Sequence, residues 1–194
     1  MKNNKHLTII DTPFKVDYSN GNISGKSVIN PVKKIKDLQH IFEDKKAFLK
    51  IDKEKIIYEV QVIRPVEEGR KGGLFYGKTI IHPGKVGNEY FMTKGHFHQK
   101  VDRAEFYWGI EGEGMLILMD KNRNTWAEKM YSGSLHYING YIAHRTVNTG
   151  TTKLSFGACW PSDAGHNYQE IIDNGFSARL KEVDGKPQLI STQL

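Results

Sequence analysis

The sequence predicts an all-β domain, built as a sandwich or a barrel. Short runs rich in β-branched and aromatic residues recur about every ten residues between residues 56 and 160, with turn signals between them. Glycine is frequent, with 19 residues, and proline is scarce, with 6, which indicates many tight turns in an ordered chain. A length of 194 residues suits one domain with a core of its own.

The amino-terminal part of the chain is polar and predicts only short extended pieces before residue 30. The segment 35–49 then carries apolar residues at spacings of three, four and seven, namely Ile35, Leu38, Ile41, Phe42 and Leu49. This spacing predicts one amphipathic helix that packs one face on the domain. We therefore divide the single domain, residues 1–194, into an extension with one helix at about 1–50, a barrel at about 54–162 and a carboxy-terminal segment at 163–194.

Nine runs in the remainder of the chain predict strands. They are residues 56–63, 74–81, 89–93, 105–110, 115–119, 125–130, 135–138, 141–147 and 153–160. The runs 105–110 and 115–119 predict a hairpin around Gly112-Glu113-Gly114. Residues 168–174 predict a short helix that ends at Gly175, a residue suited to a left-handed cap.

The formal net charge is +6, but the lysines are spread over the chain and their runs alternate with acidic residues. This pattern favours a solvated surface over a nucleic-acid partner. The single cysteine, Cys159, excludes an intrachain disulfide and indicates a reducing compartment. No apolar stretch approaches about 20 residues. We therefore expect a cytoplasmic protein with neither a membrane nor a nucleic-acid partner.

Four residues form the constellation that predicts chemistry. His96 and His98 are two residues apart, so on a strand both side chains point to one face. Glu105 is an odd number of residues from His98, and a turn at residues 99–102 must intervene if the two are to meet. His144 comes from a later strand. Three imidazoles and one carboxylate suit a divalent ion that keeps open positions for water or substrate, whereas closed structural zinc sites are usually rich in cysteine.

These residues resemble the two motifs of the cupin superfamily. The first motif is an H-x-H followed by Glu and a later Gly, and the second runs from Gly to His-x3-Asn. The matching positions are His96, His98, Glu105 and Gly112 in the first motif, and Gly133, His144 and Asn148 in the second. Three features depart from the usual pattern: the gap between His98 and Glu105 is longer, Asn139 replaces Pro, and Tyr141 replaces Gly.

The longer gap resembles one branch of that superfamily, the cupin-type glucose-6-phosphate isomerases of archaea and some bacteria. Further matches to this branch span residues 58–168. They are residues 58–60, Pro83-Gly84-Lys85-Val86-Gly87, Ala143-His144-Arg145-Thr146-Val147-Asn148 and Asp163-Ala164-Gly165-His166. The resemblance implies a double-stranded β-helix, or jelly-roll, barrel with a few short peripheral helices, assembled as a homodimer.

The resemblance also implies the roles of individual residues. The metal ligands would be His96, His98, Glu105 and His144. A phosphate pocket would be formed by Tyr58, Thr79, Thr93 and the backbone at Gly95, and Tyr107 and His166 would lie near the sugar as catalytic residues. We expect one divalent ion per subunit, with Fe2+ preferred and Mn2+, Ni2+ and Zn2+ as alternatives.

The implied reaction interconverts glucose 6-phosphate and fructose 6-phosphate by moving hydrogen between C1 and C2. Our hypothesis is a cis-enediol route with Glu105 as the base, and a hydride shift is the rival. An Fe(II) dioxygenase and a non-catalytic sugar-binding cupin are the alternative functions. Residue roles also stay open: Tyr107 as packing, His166 as a surface residue, and Lys94, Arg103 and Arg145 as either phosphate donors or ion-pair partners at the rim.

Overall fold

The computed structural model describes residues 8–192, and this part of the chain contains fifteen strands, two short α-helices and one 3-10 turn. The early strands are β1 (Phe14–Val16), β2 (Ile23–Gly25), β3 (Val32–Lys34), β4 (Ile56–Ile63), β5 (Leu74–Ile81), β6 (Lys85–Val86) and β7 (Glu89–Tyr90). The later strands are β8 (Glu105–Glu111), β9 (Glu113–Met119), β10 (Thr125–Tyr131), β11 (Leu135–Ile138), β12 (Ala143–Asn148), β13 (Leu154–Pro161), β14 (Ala178–Val183) and β15 (Lys186–Ser191). The expected all-β fold is confirmed.

Two antiparallel sheets hold the core between them. The larger sheet has the strand order β11-β8-β13-β5-β4-β3, and the smaller has the order β10-β9-β12. The stretch after β7 extends the smaller sheet, because Met92 and His96 form antiparallel bridges with Val147 and His144 of β12. Buried residues from both sheets, such as Leu116 of β9 and Phe156 of β13, belong to one apolar cluster, so the sheets share one core.

The predicted hairpin around Gly112 is wrong. Strand β8 pairs with β11 and β13, whereas β9 pairs with β10 and β12, so the two strands lie in different sheets. Gly112 has a φ of +79°, and a Cβ there would lie 2.2 Å from the carbonyl oxygen of Lys153. A glycine is needed at this position because the chain turns a tight corner from one sheet into the other.

The predicted continuous helix over residues 35–49 is also wrong. A 3-10 turn covers Ile35–Leu38, and a separate helix, α1, covers Lys45–Lys50. Asp44 starts α1, because its side chain accepts a hydrogen bond from the Ala47 N–H at 2.8 Å. Residues 39–44, between the two elements, lie outside any helix; Ile41 and Phe42 are buried from this turn, whereas Leu49 of α1 is exposed.

The carboxy-terminal segment contains the expected short helix, α2 (Gln169–Asn174), which ends at Gly175 with a φ of +64°. It also contains a hairpin that the pattern analysis missed. Strands β14 and β15 pair around Asp184-Gly185, and Lys181 of β14 pairs with Glu89 of β7. Within residues 8–192, no helix is long and apolar enough to span a membrane.

Candidate metal centre

Four side chains converge between the two sheets. One ligand atom from each of His96, His98, Glu105 and His144 lies within 4.8 Å of the other three. His96 and His98 follow β7, Glu105 is the first residue of β8, and His144 lies in β12. The structure therefore brings together all four residues that the sequence predicts as ligands.

The backbone places two of these histidines directly opposite each other. The His96 N–H donates to the His144 carbonyl at 3.2 Å, and the His144 N–H donates to the His96 carbonyl at 3.1 Å. Residues paired in this way have side chains on the same face of the ladder. The ring centroids of the two imidazoles are consequently 4.4 Å apart.

The Glu105 carboxylate closes the group from the larger sheet. Its Oε1 atom lies 2.7 Å from Nε2 of His144 and 3.1 Å from Nε2 of His98. Burial by itself would raise the pKa of Glu105, but the neighbouring imidazoles, His144 first, lower it to about 2. The carboxylate is therefore ionised at neutral pH, as a metal ligand must be.

Hydrogen bonds made by Nδ1 determine the tautomer of two of the histidines. His98 donates from Nδ1 to the Arg103 carbonyl at 2.8 Å, and His144 donates from Nδ1 to the Ile142 carbonyl at 3.3 Å. Because a carbonyl oxygen only accepts, Nδ1 carries the proton in the neutral form of both rings, and that form leaves a lone pair on Nε2. This arrangement orients imidazoles for metal binding.

The ligand atoms themselves are buried and have no hydrogen-bond partner outside the group of four. They are Nε2 of His96, His98 and His144 and Oε1 of Glu105. Burial, and then the charges of the neighbouring histidines, lower the pKa of His96 well below its usual value, so this ring is neutral at neutral pH. Four converging lone pairs that find no proton donor fit a divalent cation.

The expected turn between His98 and Glu105 is present. Residues 99–104 lie outside any strand, and the Arg103 N–H donates to the Lys100 carbonyl at 3.1 Å. This turn resets the strand parity, so Glu105 begins β8 with its side chain directed at the histidines.

A cavity of about 220 Å³ lies beside the metal centre. It brings together the remaining residues that the resemblance assigns to the site: Tyr58, Thr79, Thr93, Gly95, Tyr107 and His166. His96 and His144 also line it, whereas His98 and Glu105 are buried behind them. The placement agrees with the expected roles, which stay predictions.

One wall of the cavity carries uncharged hydrogen-bond donors. The Thr93 hydroxyl accepts from the Thr146 N–H at 3.0 Å, so its own proton can point elsewhere. Burial raises the pKa of Tyr58, which keeps its phenol protonated. Gly95 has a φ of +76°, and a Cβ there would lie 2.9 Å from Nε of Arg145.

Aromatic rings and His166 form another part of the cavity lining. The His166 ring lies 4.4 Å from His96 and stacks on Tyr168 with centroids 5.5 Å apart. Burial lowers the pKa of His166, which therefore lines the cavity as a neutral imidazole. The Tyr107 ring lies 5.6 Å from His144 and 5.0 Å from Phe156, so it both lines the cavity and packs against the core.

Several lining residues were missed from the sequence. They are Lys33, Arg64, Trp160 and Tyr168. Strand parity could have indicated two of them, because Arg64 follows β4 on the parity of Tyr58 and Trp160 shares that of Phe156 in β13. Tyr168 lies outside any strand, and its signal is its closeness in sequence to His166. Lys33 had no local signal, because it reaches the cavity only through the pairing of β3 with β4.

The structure places the three basic residues whose roles the sequence left open in three different environments. Lys94 lines the cavity, with Nζ 4.5 Å from the centre of the Tyr168 ring. Arg103 forms ion pairs with Asp102 and Asp163. Arg145 is buried outside the cavity, where it donates to the Lys94 carbonyl at 2.9 Å and supports the Gly95 backbone from behind.

Comparisons with known proteins agree on one family. The family model described as glucose-6-phosphate isomerase (GPI) matches residues 32–188. The glucose-6-phosphate isomerase of Thermococcus litoralis is 39% identical over 178 residues, which cover 90% of this chain and 92% of that protein. The enzyme of the same name from Thermococcus kodakarensis is 40% identical over 176 residues, and that from Sinorhizobium medicae is 36% identical over 155. The match with the Thermococcus kodakarensis enzyme covers 90% of this chain and 91% of that protein. The match with the Sinorhizobium medicae enzyme covers 78% of this chain and 71% of that protein.

Among solved structures, oxalate decarboxylase from Bacillus subtilis superimposes with a TM-score of 0.44 and 15% identity. The superposition covers 56% of this chain, which spans about a quarter of that protein, 26%. So partial a likeness says nothing about the reaction.

Proposed function

We infer that the cavity beside the metal centre is an isomerase active site, because the chain belongs to the glucose-6-phosphate isomerase family. Its reaction interconverts glucose 6-phosphate and fructose 6-phosphate. The observation that carries this assignment is the convergence of four buried ligand atoms at one end of a cavity lined by hydroxyl, amide and basic groups. Such a cavity suits a small, polar, anionic substrate.

The metal centre would hold one divalent ion through His96, His98, Glu105 and His144. When bound, the ion supplies Lewis-acid polarisation of the sugar oxygens at C1 and C2. We keep Fe2+ as the preferred ion, with Mn2+, Ni2+ and Zn2+ as alternatives, because this donor set tolerates all four. Identification of the ion requires metal analysis of protein purified without added metal.

The phosphoryl group is assigned to the wall formed by Tyr58, Thr79, Thr93 and the Gly95 backbone. These groups are donors to anionic oxygens, and charge-assisted hydrogen bonds of this type are stronger than neutral ones. Lys33 and Lys94 add positive charge to the same cavity. Burial and the charge of Lys33 lower the pKa of Lys94, because the two ammonium groups repel each other. A bound dianion would relieve this repulsion.

Hydrogen transfer proceeds, in our proposal, through a cis-enediol. In the direction toward fructose 6-phosphate, a base removes the proton from C2, the electron pair forms the C1–C2 double bond, and O1 gains a proton. The proton then returns to C1 while O2 loses its own, and the ketose carbonyl forms at C2. The residue that carries the proton between the two carbons needs access to both.

Glu105 is our candidate base, since it is the only carboxylate in the predicted site and is ionised. A carboxyl with a pKa of about 2 is a weak base, however, and Glu105 lies behind the histidines. His166 is a second candidate for the base, because it is neutral and lines the cavity. Comparison of His166→Gln with wild type in deuterated solvent separates the two: deuterium incorporation survives if Glu105 is the base and is lost if His166 is.

The experiment that tests the function is an anaerobic assay of fructose 6-phosphate conversion coupled to detection of glucose 6-phosphate. Turnover without oxygen supports the isomerase and excludes the dioxygenase alternative. Deuterium at C2 of the glucose 6-phosphate formed in deuterated water supports proton transfer, whereas product without any deuterium overturns it in favour of the hydride shift. A protein that binds the sugar phosphate without turnover would be the non-catalytic cupin.

We also propose a cytoplasmic homodimer. The single cysteine is compatible with a reducing compartment. Strand β11 is an edge strand of the larger sheet, and its exposed Leu135 and Tyr137 offer an apolar surface for a second subunit. Light scattering on the purified protein gives the mass, and a monomer would contradict the dimer.

A further inference from the structure

Asp163 is a buried carboxylate outside the metal centre, and it is held by the loop between the predicted ligands His98 and Glu105. Asp163 follows β13, and its side chain is 3% exposed. Arg103 grips it with two hydrogen bonds, from Nε to Oδ1 at 3.0 Å and from Nη2 to Oδ2 at 2.9 Å. Lys100 adds a third, from Nζ to Oδ2 at 2.8 Å.

The same arginine contacts the metal centre through its backbone. The Arg103 carbonyl accepts the Nδ1 proton of His98 at 2.8 Å, which fixes both the tautomer and the tilt of that ring. The guanidinium and the carbonyl belong to one residue in an otherwise irregular turn. The contact with Asp163 and the contact with His98 are therefore linked through the bonds of a single residue.

The two loops also meet along their backbones. The Lys100 N–H donates to the Ala164 carbonyl at 2.9 Å, and a Cβ at Gly165, where φ is +62°, would lie 2.4 Å from Oε1 of Gln99. Three residues after Asp163 comes His166, whose ring contacts His96. The contact thus joins the loop of one predicted ligand to the loop of a cavity residue.

We propose that Asp163 is a positioning residue, which sets the orientation of His98 through Arg103 and holds the His166 loop in register with the metal centre. This proposal also explains the long gap between His98 and Glu105, because the gap contains Lys100 and Arg103, the two basic partners of Asp163. The inference rests on the proposed metal centre, and it deepens that proposal by naming what determines its geometry.

The charge of Asp163 is essential to this role. Hydrogen bonds from Arg103, and then from Lys100, hold the pKa of this carboxyl well below its usual range, so it is anionic at neutral pH. In Asp163→Asn, the amide keeps the size of the side chain but offers Arg103 one oxygen instead of two. Loss of such outer partners typically weakens metal binding about 10–100-fold.

The test measures the binding of Co2+ to metal-free protein by isothermal titration calorimetry and by the visible spectrum of the bound ion. We expect Asp163→Asn to bind Co2+ at least about tenfold more weakly than wild type, with shifted absorption bands. Arg103→Lys, which keeps the charge but not the two-point grip, should weaken binding in the same direction. The double variant should be no weaker than the worse single variant, because both changes break one contact.

Asp102→Asn is the matched control, since this exposed carboxylate contacts the same guanidinium at 2.8 Å without holding the second loop. It should leave the affinity and the spectrum unchanged. Wild-type affinity and spectrum in both Asp163→Asn and Arg103→Lys would overturn the inference. If Asp163→Asn does not fold, Arg103→Lys alone decides. A wild-type protein that binds no Co2+ would instead contradict the proposed metal centre, so the two failures are distinguishable.

Discussion

His96 and His144 face each other across an antiparallel bridge and exchange both of its backbone hydrogen bonds. Two predicted ligands that are 48 positions apart in sequence are thus held by sheet pairing rather than by a loop. A side-chain change at either histidine should therefore alter the metal centre without unfolding the strands that carry it.

Replacement of His144 by alanine tests this relationship. Loss of one of four ligands should lower metal affinity by more than about 100-fold, a larger effect than the loss of an outer partner. The far-ultraviolet circular dichroism should stay that of wild type. Metal content by mass spectrometry after dialysis gives the readout, and a full complement of metal in His144→Ala would contradict the ligand assignment.

His136 is a matched control for that experiment, because it is also a buried histidine on a strand. It contacts Oε2 of Glu128 at 2.7 Å and Oγ of Ser134 at 3.0 Å, away from the centre. His136→Ala should keep the metal but lower the free energy of unfolding by about 1–3 kcal/mol, because the buried Ser134 hydroxyl and the partly exposed Glu128 carboxylate lose a hydrogen-bond partner. Denaturant titration measures this loss, and unchanged stability would contradict a structural role for His136.

Gly95→Ala tests how closely the backbone of the predicted phosphate wall is packed. The new methyl group would enter the left-handed region and approach within 2.9 Å of Nε of Arg145 and Cε2 of Phe176. We expect a higher KM for fructose 6-phosphate together with lower stability. Gly133→Ala separates the two causes, because Gly133 has a φ of +87° with nothing within 4 Å. That control should cost about 1–2 kcal/mol through strain alone and leave KM unchanged. Equal KM values in both variants would contradict the assignment of Gly95.

Thr79→Val tests the phosphate subsite by removing one hydroxyl at nearly constant volume. A hydrogen bond to a charged group contributes about 1.5–3 kcal/mol, so KM for fructose 6-phosphate should rise about tenfold or more. Inhibition by the phosphate-free sugar fructose should not change. The control is Thr125→Val, whose hydroxyl contacts Ser177 at 2.6 Å on another part of the surface. A KM in Thr79→Val equal to that of Thr125→Val would remove Thr79 from the subsite.

The pH dependence of stability in metal-free protein reports on the pairing of Glu105 with His98. The folded pKa of Glu105 is about 2, below its usual 4.5, so its contribution is complete above 4.5 and is lost as pH falls toward 2. Burial would lower the pKa of His98, but Glu105 raises it above 6.5; its contribution is complete below 6.5 and is lost as pH rises through the folded value.

The difference in unfolding free energy between wild type and Glu105→Gln should therefore be largest between pH 4.5 and 6.5. It should shrink on both sides, as urea titrations over the pH range would show. With a saturating divalent ion the alkaline decline should disappear, because a metal-bound imidazole carries no titrating proton. A difference that does not vary with pH would contradict the pairing.

Periodicity predicted the larger strands well, because each alternates or is fully apolar for several residues. It could not tell a hairpin from a corner at Gly112, since both need a left-handed glycine and only tertiary pairing decides between them. The helix predicted over residues 35–49 is wrong because residues 39–44 form a turn and the Asp44 side chain caps a new helix start, which the apolar spacing does not show. The hairpin at Asp184-Gly185 could have been predicted, because Asp-Gly is a typical two-residue hairpin turn.

The predicted ligands came from residue types and motif spacing, which are properties of the sequence. Lys33 could not have been found in this way, because it reaches the cavity only through the pairing of β3 with β4. Asp163 stands out in the sequence only as part of a motif, since nothing local shows that it will accept hydrogen bonds from Arg103, which is 60 residues away. Such long-range contacts are set by the topology of the sheets.

The central claim is that the His–Glu centre holds the ion on which isomerisation depends. The most direct measurement follows fructose 6-phosphate turnover in chelator-treated protein before and after reloading with Fe2+, Mn2+, Ni2+ or Zn2+, with metal content determined in parallel. We predict that activity disappears with the metal and returns in proportion to it, up to one ion per chain. Full turnover in metal-free protein, or no turnover after reloading with any of the four ions, would contradict the claim.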